Sequence, residues 1–330
     1  MKKTEISYGD SIRLGFEYIL QNNPKSMVMG QGLWSPWYVG NSMTDLDKKF
    51  GKDRVIDTPV SELATSGAAI GAGLCGYSVI MVHPRMDFAI LAADQIVNQA
   101  AKWRHMLGNQ GSPNVTFRTI INRGGEQGAQ HSQALHSWFA HIPGLRVLMP
   151  SNAQDARDML IAASMSEDPV LYIDDRWCYD ETMELGAVIN TEIETFTPSV
   201  RKCGTDVTVV ASGYSTVQAL RVADRLKQVS GISCEVIDIR QINPLDYSEI
   251  IKSINKTGLL CVVDGGWSNC GLAGEIIASA VENINPQAFK KCPVRLTLTA
   301  SPAPSAANLE KAYYTTDEDI EEAIVRLVTT

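Results

Sequence analysis

An α/β protein of two domains, each a mostly parallel sheet flanked by helices, is what this sequence predicts, and three observations carry the prediction. Short, continuous apolar runs alternate with helical stretches, the pattern of parallel strands covered on both faces. The alternation stops after Asp174 and restarts at Asp206. A chain of 330 residues has ample material for two separate cores.

In the first half, MVMG (27–30) reads as a strand, followed by YSVIMVH (77–83), VTFRTII (115–121), RVLMP (146–150) and VLYID (170–174). Helical stretches lie between them at 61–75, 88–107 and 152–165. DDRWCYDETMELGAVINTEIETFTPSVRKCG (174–204) has no clean period and reads as a connection with one or two short edge strands. The second half repeats the alternation: DVTVVAS (206–212), a helix over 215–229, CEVIDIR (234–240), a helix near 246–255, LLCVVD (259–264), a helix near 271–283 and VRLTLT (294–299). A last helix, DEDIEEAIVRLV (317–328), opens with acidic residues where the helix dipole favours them. The domains are therefore set at 1–185 and 201–330, with a linker over 186–200.

Composition excludes several classes. Apolar residues make up 45% and charged residues 20%, ordinary for a soluble globular protein. The net charge of -8 is spread over mixed acidic and basic residues, without the basic stripe that a nucleic-acid partner requires. No apolar run approaches the roughly 20 residues that span a bilayer. The start, MKKTEISYGDSIRLGFEYIL, lacks the apolar core of a signal peptide. Seven scattered cysteines without a CxxC pair argue for reduced thiols and a cytoplasmic location, each read as a small buried hydrophobe.

Three of the five histidines fall within GGEQGAQHSQALHSWFAH (124–141). His131, His136 and His141 recur at i+5, about 140° apart around a helix, so one helix cannot turn them toward one metal ion. NRGGEQG (122–128) follows a strand, and its glycines permit close backbone approach to a ligand. Loops at strand ends are where open α/β sheets place their binding crevices. His131, read as the point where this loop becomes helix, is the best placed for chemistry; His136 and His141 are read as packing.

AQHSQALHSWFAHIPGLRVLMPSNAQDA (129–156) resembles the beta subunit of the decarboxylating component of 2-oxo acid dehydrogenase complexes. FGKDRVIDTPVSE (50–62), DQIVNQAAKWRHMLG (94–108), EVIDIRQINPLD (235–246) and VVDGGWSNCGLAGE (262–275) continue the resemblance in order. It implies a thiamine pyrimidine-binding domain followed by a transketolase C-terminal-like domain, and thiamine diphosphate as cofactor. It also implies a place for three residues. Glu62 in DTPVSE contacts the aminopyrimidine ring, His131 in QHSQ lies near the reacting centre, and Phe88 in DFAILAADQ packs against the pyrimidine. An ordinary core role is the plain alternative for Phe88.

The implied chemistry explains these residue types. Thiamine supplies a carbanion that adds to a carbonyl and accepts the electrons released by decarboxylation. A carboxyl hydrogen-bonded to the distal pyrimidine nitrogen exchanges a proton with the ring, which Asp or Glu alone does compactly. The helix dipole favours the ionised Glu62 carboxylate, whereas burial favours the neutral acid, and burial is expected to prevail. His131 is expected to hydrogen-bond the substrate carbonyl or the enamine intermediate and to assist acyl transfer to a lipoyl group.

The magnesium half of such a site, GDG followed by Asn, is absent from the sequence. DGGWSN (264–269) has the wrong order and reads as a glycine turn into a helix. No metal ligand is assigned to this chain. A partner alpha chain carrying GDG…N is expected to hold the diphosphate and magnesium, in an alpha-two beta-two heterotetramer with beta–beta contact. A lipoyl acyltransferase core is a further expected partner.

Departures from the family cluster around the expected site. GQGLWSPWYVGN (30–41) replaces an acidic pair after the first strand, and HPRMD (83–87) introduces His83 and Arg85 where relatives are aromatic and apolar. The loop before His131 is shorter and contains Glu126. SEDPV (166–170) fits the family's structural potassium site poorly, and no potassium is assigned. Three readings stay open: the 2-oxo acid dehydrogenase subunit, a split transketolase-like enzyme that moves a two-carbon or acyl unit onto an aldehyde or sugar, and a non-catalytic partner of the alpha chain. The presence of both Glu62 and His131 argues against the third.

Overall fold

The computed structural model describes residues 5–35, 37–188 and 191–329. Pro36, within the altered loop, and residues 189–190, within the expected linker, lie outside the described residues. The chain forms two compact units, one of Met1–Asn122 with Trp138–Phe196, the other of Arg123–Ser137 with Thr197–Thr330.

In the first unit, parallel strands run in the order Arg146–Leu148, Val170–Asp175, Val115–Ile121, Ser78–His83, Ser26–Gly30 and Val55–Asp57. Three inner strands are buried along their whole length, in keeping with their mostly apolar runs, and the buried Arg118 and Asp174 on two of them pair at 2.8 Å. Glu5–Ser7 and Thr182–Glu184 form a separate antiparallel ribbon. Thr182–Glu184 and, in the second unit, Ser199–Lys202 are the short strands expected of the connecting stretch.

Two features of this unit depart from the sequence reading. Tyr8–Asn22 is a helix, capped by the Ser7 hydroxyl accepting from the Asp10 N–H at 3.1 Å. Its buried Ile12, Phe16, Ile19 and Leu20 follow a helical period, each contributing about 1.5–3 kcal/mol by burial. The single helix expected over 88–107 is instead a 3-10 segment, Met86–Ala92, a π segment, Asp94–Ala100, and a short α-helix, Ala101–Met106. Met86, Ala89 and Ala92 are buried at a spacing of three, which lines up on one face in 3-10 geometry.

In the second unit the order is Val294–Leu298, Leu260–Trp267, Val207–Ala211, Cys234–Asp238 and Ser199–Lys202, parallel except for the last edge strand. Ile320, Ile324 and Leu327 of the final helix, Asp317–Thr329, close the core over Val209, Val236 and Val263. Leu260–Trp267 runs beyond the expected end, so Asp264, Gly265 and Gly266 lie in a strand rather than in a glycine turn, and the next helix starts at Leu272. All seven cysteines are free; Cys178, Cys234 and Cys261 are buried as expected, whereas Cys75, Cys203, Cys270 and Cys292 are exposed. Among the described residues no helix is long and apolar enough to cross a membrane.

Candidate functional site

The strand Ser26–Gly30 delivers the chain into a loop at the carboxyl end of the first sheet. Asp57, ending the neighbouring strand, accepts from the N–H groups of Gly32 at 2.7 Å and Leu33 at 3.3 Å. Trp34 Nε1 donates to the Val55 carbonyl at 2.8 Å. The loop is thereby tied down, and Gln31 points at Glu62, donating from Nε2 to Oε1 at 2.9 Å. Glu62 opens the helix Glu62–Leu74 and is only 4% exposed. Among the described residues its side chain forms no other hydrogen bond. Gln31 also lines an open groove of about 570 Å³, together with Gly32, Trp34, Tyr38, Asp57 and Thr58.

One helical turn beyond Glu62, the buried Ser66 hydroxyl lies 3.2 Å from His83 Nε2. His83 ends the strand Ser78–His83 and is fully buried, with no hydrogen-bond partner for Nδ1. Burial lowers its imidazole to about 4, against the upward pull of the Glu62 charge, so the ring is neutral at pH 7. Phe88 is half-buried in the 3-10 segment that packs against the Glu62 helix. Arg85, just before it, is half-buried with Nη1 lacking a hydrogen-bond partner, and so is Arg176 Nη1. Burial and the charge of Arg176 lower the Arg85 pKa, with Tyr38 and Asp87 acting in the opposite direction.

His131 belongs to the second unit. Its segment is irregular, and the helix begins only at His136, so His131 does not stand at a loop-to-helix junction. Arg123 donates to the Gly265 carbonyl at 3.2 Å, and the Glu126 N–H donates to the buried Glu310 carboxylate at 3.0 Å. The His131 N–H reaches the Gly128 carbonyl at 3.3 Å. Gly128 has φ +71, a left-handed backbone that calls for glycine.

His136 and His141 were both expected to pack, and the two differ. His136 is buried, with Nε2 2.8 Å from Asp264 Oδ1, while His141 is exposed. Asp264 also accepts from the N–H groups of Gly266 at 2.9 Å and Ala273 at 3.2 Å. Burial raises the Asp264 carboxyl, but His136 and these N–H groups outweigh it and hold the group below the usual carboxylate range. Ser137 Oγ accepts from the Leu272 N–H at 2.9 Å.

Glu62 and Phe88 thus share the first unit, and His131 sits in the second. Sequence reasoning missed Gln31 and Asp264. Gln31 had a signal, a polar residue between two glycines directly after a strand. Asp264 was hidden by DGGW, which looks like a turn.

The fold and these loops define a transketolase-type protein: residues 4–176 match the transketolase pyrimidine binding domain and residues 198–320 the transketolase C-terminal domain. Pyruvate dehydrogenase E1 component subunit beta-1 of Arabidopsis thaliana is 33% identical over 98% of this chain and 89% of its own. The corresponding beta subunit of Rickettsia felis is 32% identical over 98% of each chain. The chain belongs to this family, that of the E1 beta subunits. A split-gene transketolase, solved as an inactive beta-four tetramer, shares the fold with a TM-score of 0.76 at 21% identity, over 98% of both chains.

Proposed function

We propose that this chain is the beta subunit of a thiamine diphosphate-dependent 2-oxo acid dehydrogenase, with Glu62 contacting the aminopyrimidine, Phe88 packing on it and His131 near the reacting centre. The observation that carries this reading is the Glu62 carboxylate, buried at a helix start with one oxygen held by Gln31 and no second side-chain partner among the described residues. A carboxyl so placed fits a ring nitrogen that exchanges a proton with it. When bound, thiamine diphosphate supplies the electron sink for decarboxylation. Gln31 orients the carboxyl, Glu62 holds or releases a proton at its remaining oxygen, and His131 donates a hydrogen bond to the substrate carbonyl.

Magnesium and the diphosphate are assigned to an alpha chain with GDG…N, in an alpha-two beta-two heterotetramer with beta–beta contact that hands an acyl group to lipoamide on an acyltransferase core. The domains are taken as 1–185 and 201–330 and the location as the cytoplasm, consistent with seven free cysteines. The exposed Leu63, Ile90 and Leu91 support a partner-covered face here.

A second reading, a split transketolase-like transfer to an aldehyde or sugar, draws on Arg85 and Arg176. Their unpartnered guanidinium nitrogens suit a substrate richer in oxygen than pyruvate. Co-expression with the alpha chain, then assay of the complex with thiamine diphosphate, magnesium and either lipoamide or aldehyde acceptors, separates the two. Acyl transfer to lipoamide is the expected result; transfer to an aldehyde alone selects the second reading. His131→Ala is expected to impair acyl transfer with the coenzyme still bound, and coenzyme loss would make its role structural.

A further inference from the structure

His83 is one of the buried groups to which the proposed function gives no role. It is fully enclosed, contacts Ser66 at 3.2 Å through Nε2, and has an Nδ1 that no described residue meets. Ser66 lies four residues after Glu62, on the same face of the helix Glu62–Leu74. Among the described residues, the charge of Glu62 pulls the His83 ring upward against its burial.

We propose that His83, with Ser66, is a positioning residue for Glu62, a buried polar backing to the helix that carries it. The inference rests on the reading of Glu62 as the carboxyl that exchanges a proton with the coenzyme. A buried nitrogen without a partner destabilises the fold, and replacing both members of a buried polar pair by apolar groups of the same shape can be neutral or stabilising. Ser66 would tolerate an apolar ring at position 83, because its hydroxyl can turn to the carbonyl one helical turn back.

What the imidazole provides is a dipole without a charge. A cation at this position would lock Glu62 as the ionised partner of an ion pair and withdraw it from proton exchange. A purely apolar wall would leave Gln31 alone to fix the carboxyl's direction. The neutral ring avoids both outcomes. It holds Ser66, and through Ser66 the first turns of the helix that carries Glu62, within a polar frame.

The test uses the complete complex of this chain with its alpha partner, thiamine diphosphate and magnesium, comparing wild type, His83→Phe and His83→Gln. His83→Phe is expected to raise the urea midpoint of the chain and to lower kcat by roughly ten- to a hundredfold, the scale of a small misplacement of a reacting group. The KM for thiamine diphosphate should stay within about twofold, since no contact to the coenzyme is removed. His83→Gln, which can still reach Ser66, should recover most of the lost kcat without the gain in midpoint. Opposite signs for stability and turnover are the signature that a merely structural residue would not give. If His83→Phe binds the coenzyme and turns over like wild type, or if both variants lose stability and activity together, the inference is overturned. If the wild-type complex binds no thiamine diphosphate, the reading of Glu62 itself fails and takes this inference with it.

Discussion

Glu62 and Asp264 are both carboxylates buried beside the start of a helix, one in each unit, and their surroundings differ. Asp264 is saturated: His136 takes one oxygen together with the Gly266 N–H, and the Ala273 N–H takes the other. Glu62 has Gln31 on one oxygen and a neutral, fully buried His83 nearby. A carboxylate with both oxygens held within its own unit is a joint. One left with spare capacity, in an enclosed setting, is available to a ligand. The number of partners, more than depth of burial, separates a structural acid from a chemical one.

The sharpest way to break this comparison is to remove the proton-exchanging ability of one carboxyl and leave its shape. Glu62→Gln should lower turnover of the complex by roughly 10³-fold, about 4 kcal/mol, while assembly survives. Steady-state kinetics beside size-exclusion chromatography would check it, and full activity would remove Glu62 from the mechanism. Asp264→Ala should act in the opposite manner, leaving His136 buried without its partner and costing about 3–5 kcal/mol of stability in urea unfolding. A loss below about 1 kcal/mol would show that the saturated carboxylate is not a joint.

The pH dependence of stability sharpens the contrast. The folded His83 ring is depressed to about 4, so between pH 4 and about 6.5 the unfolded chain binds a proton that the folded chain does not. Stability from this group is complete above about 6.5 and falls as the pH drops toward 4, by about 3 kcal/mol in all. Asp264, depressed in the folded state, contributes stability that is present above the ordinary carboxylate range and lost only at lower pH. Urea unfolding across this window should therefore show a slope that His83→Phe abolishes and Asp264→Ala leaves in place.

The smallest expected effect concerns the helix that carries Glu62. A Cβ on Gly71 would meet nothing within 4 Å. Gly71→Leu should stabilise the isolated chain by up to about 1 kcal/mol through helix propensity. If a partner helix packs there, the same change weakens association, measurable by analytical ultracentrifugation of the mixed chains. Unchanged association would place the partner elsewhere.

The sheets were legible because strands buried on both faces are mostly apolar, as VTFRTII and VLYID are; the polar exceptions Arg118 and Asp174 pair with each other, Arg118 Nη2 donating to Asp174 Oδ2 at 2.8 Å. Tyr8–Asn22 escaped notice because its buried positions are interleaved with Asp10, Arg13 and Glu17 behind a polar start. The irregular course of 86–100 was hidden for another reason: a three-residue apolar repeat differs from a helical one by less than a residue per turn. Glu62 was singled out through resemblance alone, since nothing in its local spacing separates it from an ordinary helix-start carboxylate, whereas His131 was pointed to by its loop position and given a role only by the resemblance. His141 shows the limit of composition, for its apolar neighbours promised burial and it is exposed.

The route of the backbone through Arg123–Ser137 constrains how the gene can be cut. The polypeptide leaves the first unit at Asn122, rejoins it at Trp138 and departs again after Phe196. A truncated product ending near residue 185 would therefore carry a histidine-bearing tract bereft of Gly265, Asp264, Leu272 and Glu310, the groups that tether it. Such a fragment would expose Arg123 and His136 to water with their counterparts left on the other piece, so recombinant dissection at the obvious boundary should yield two defective halves.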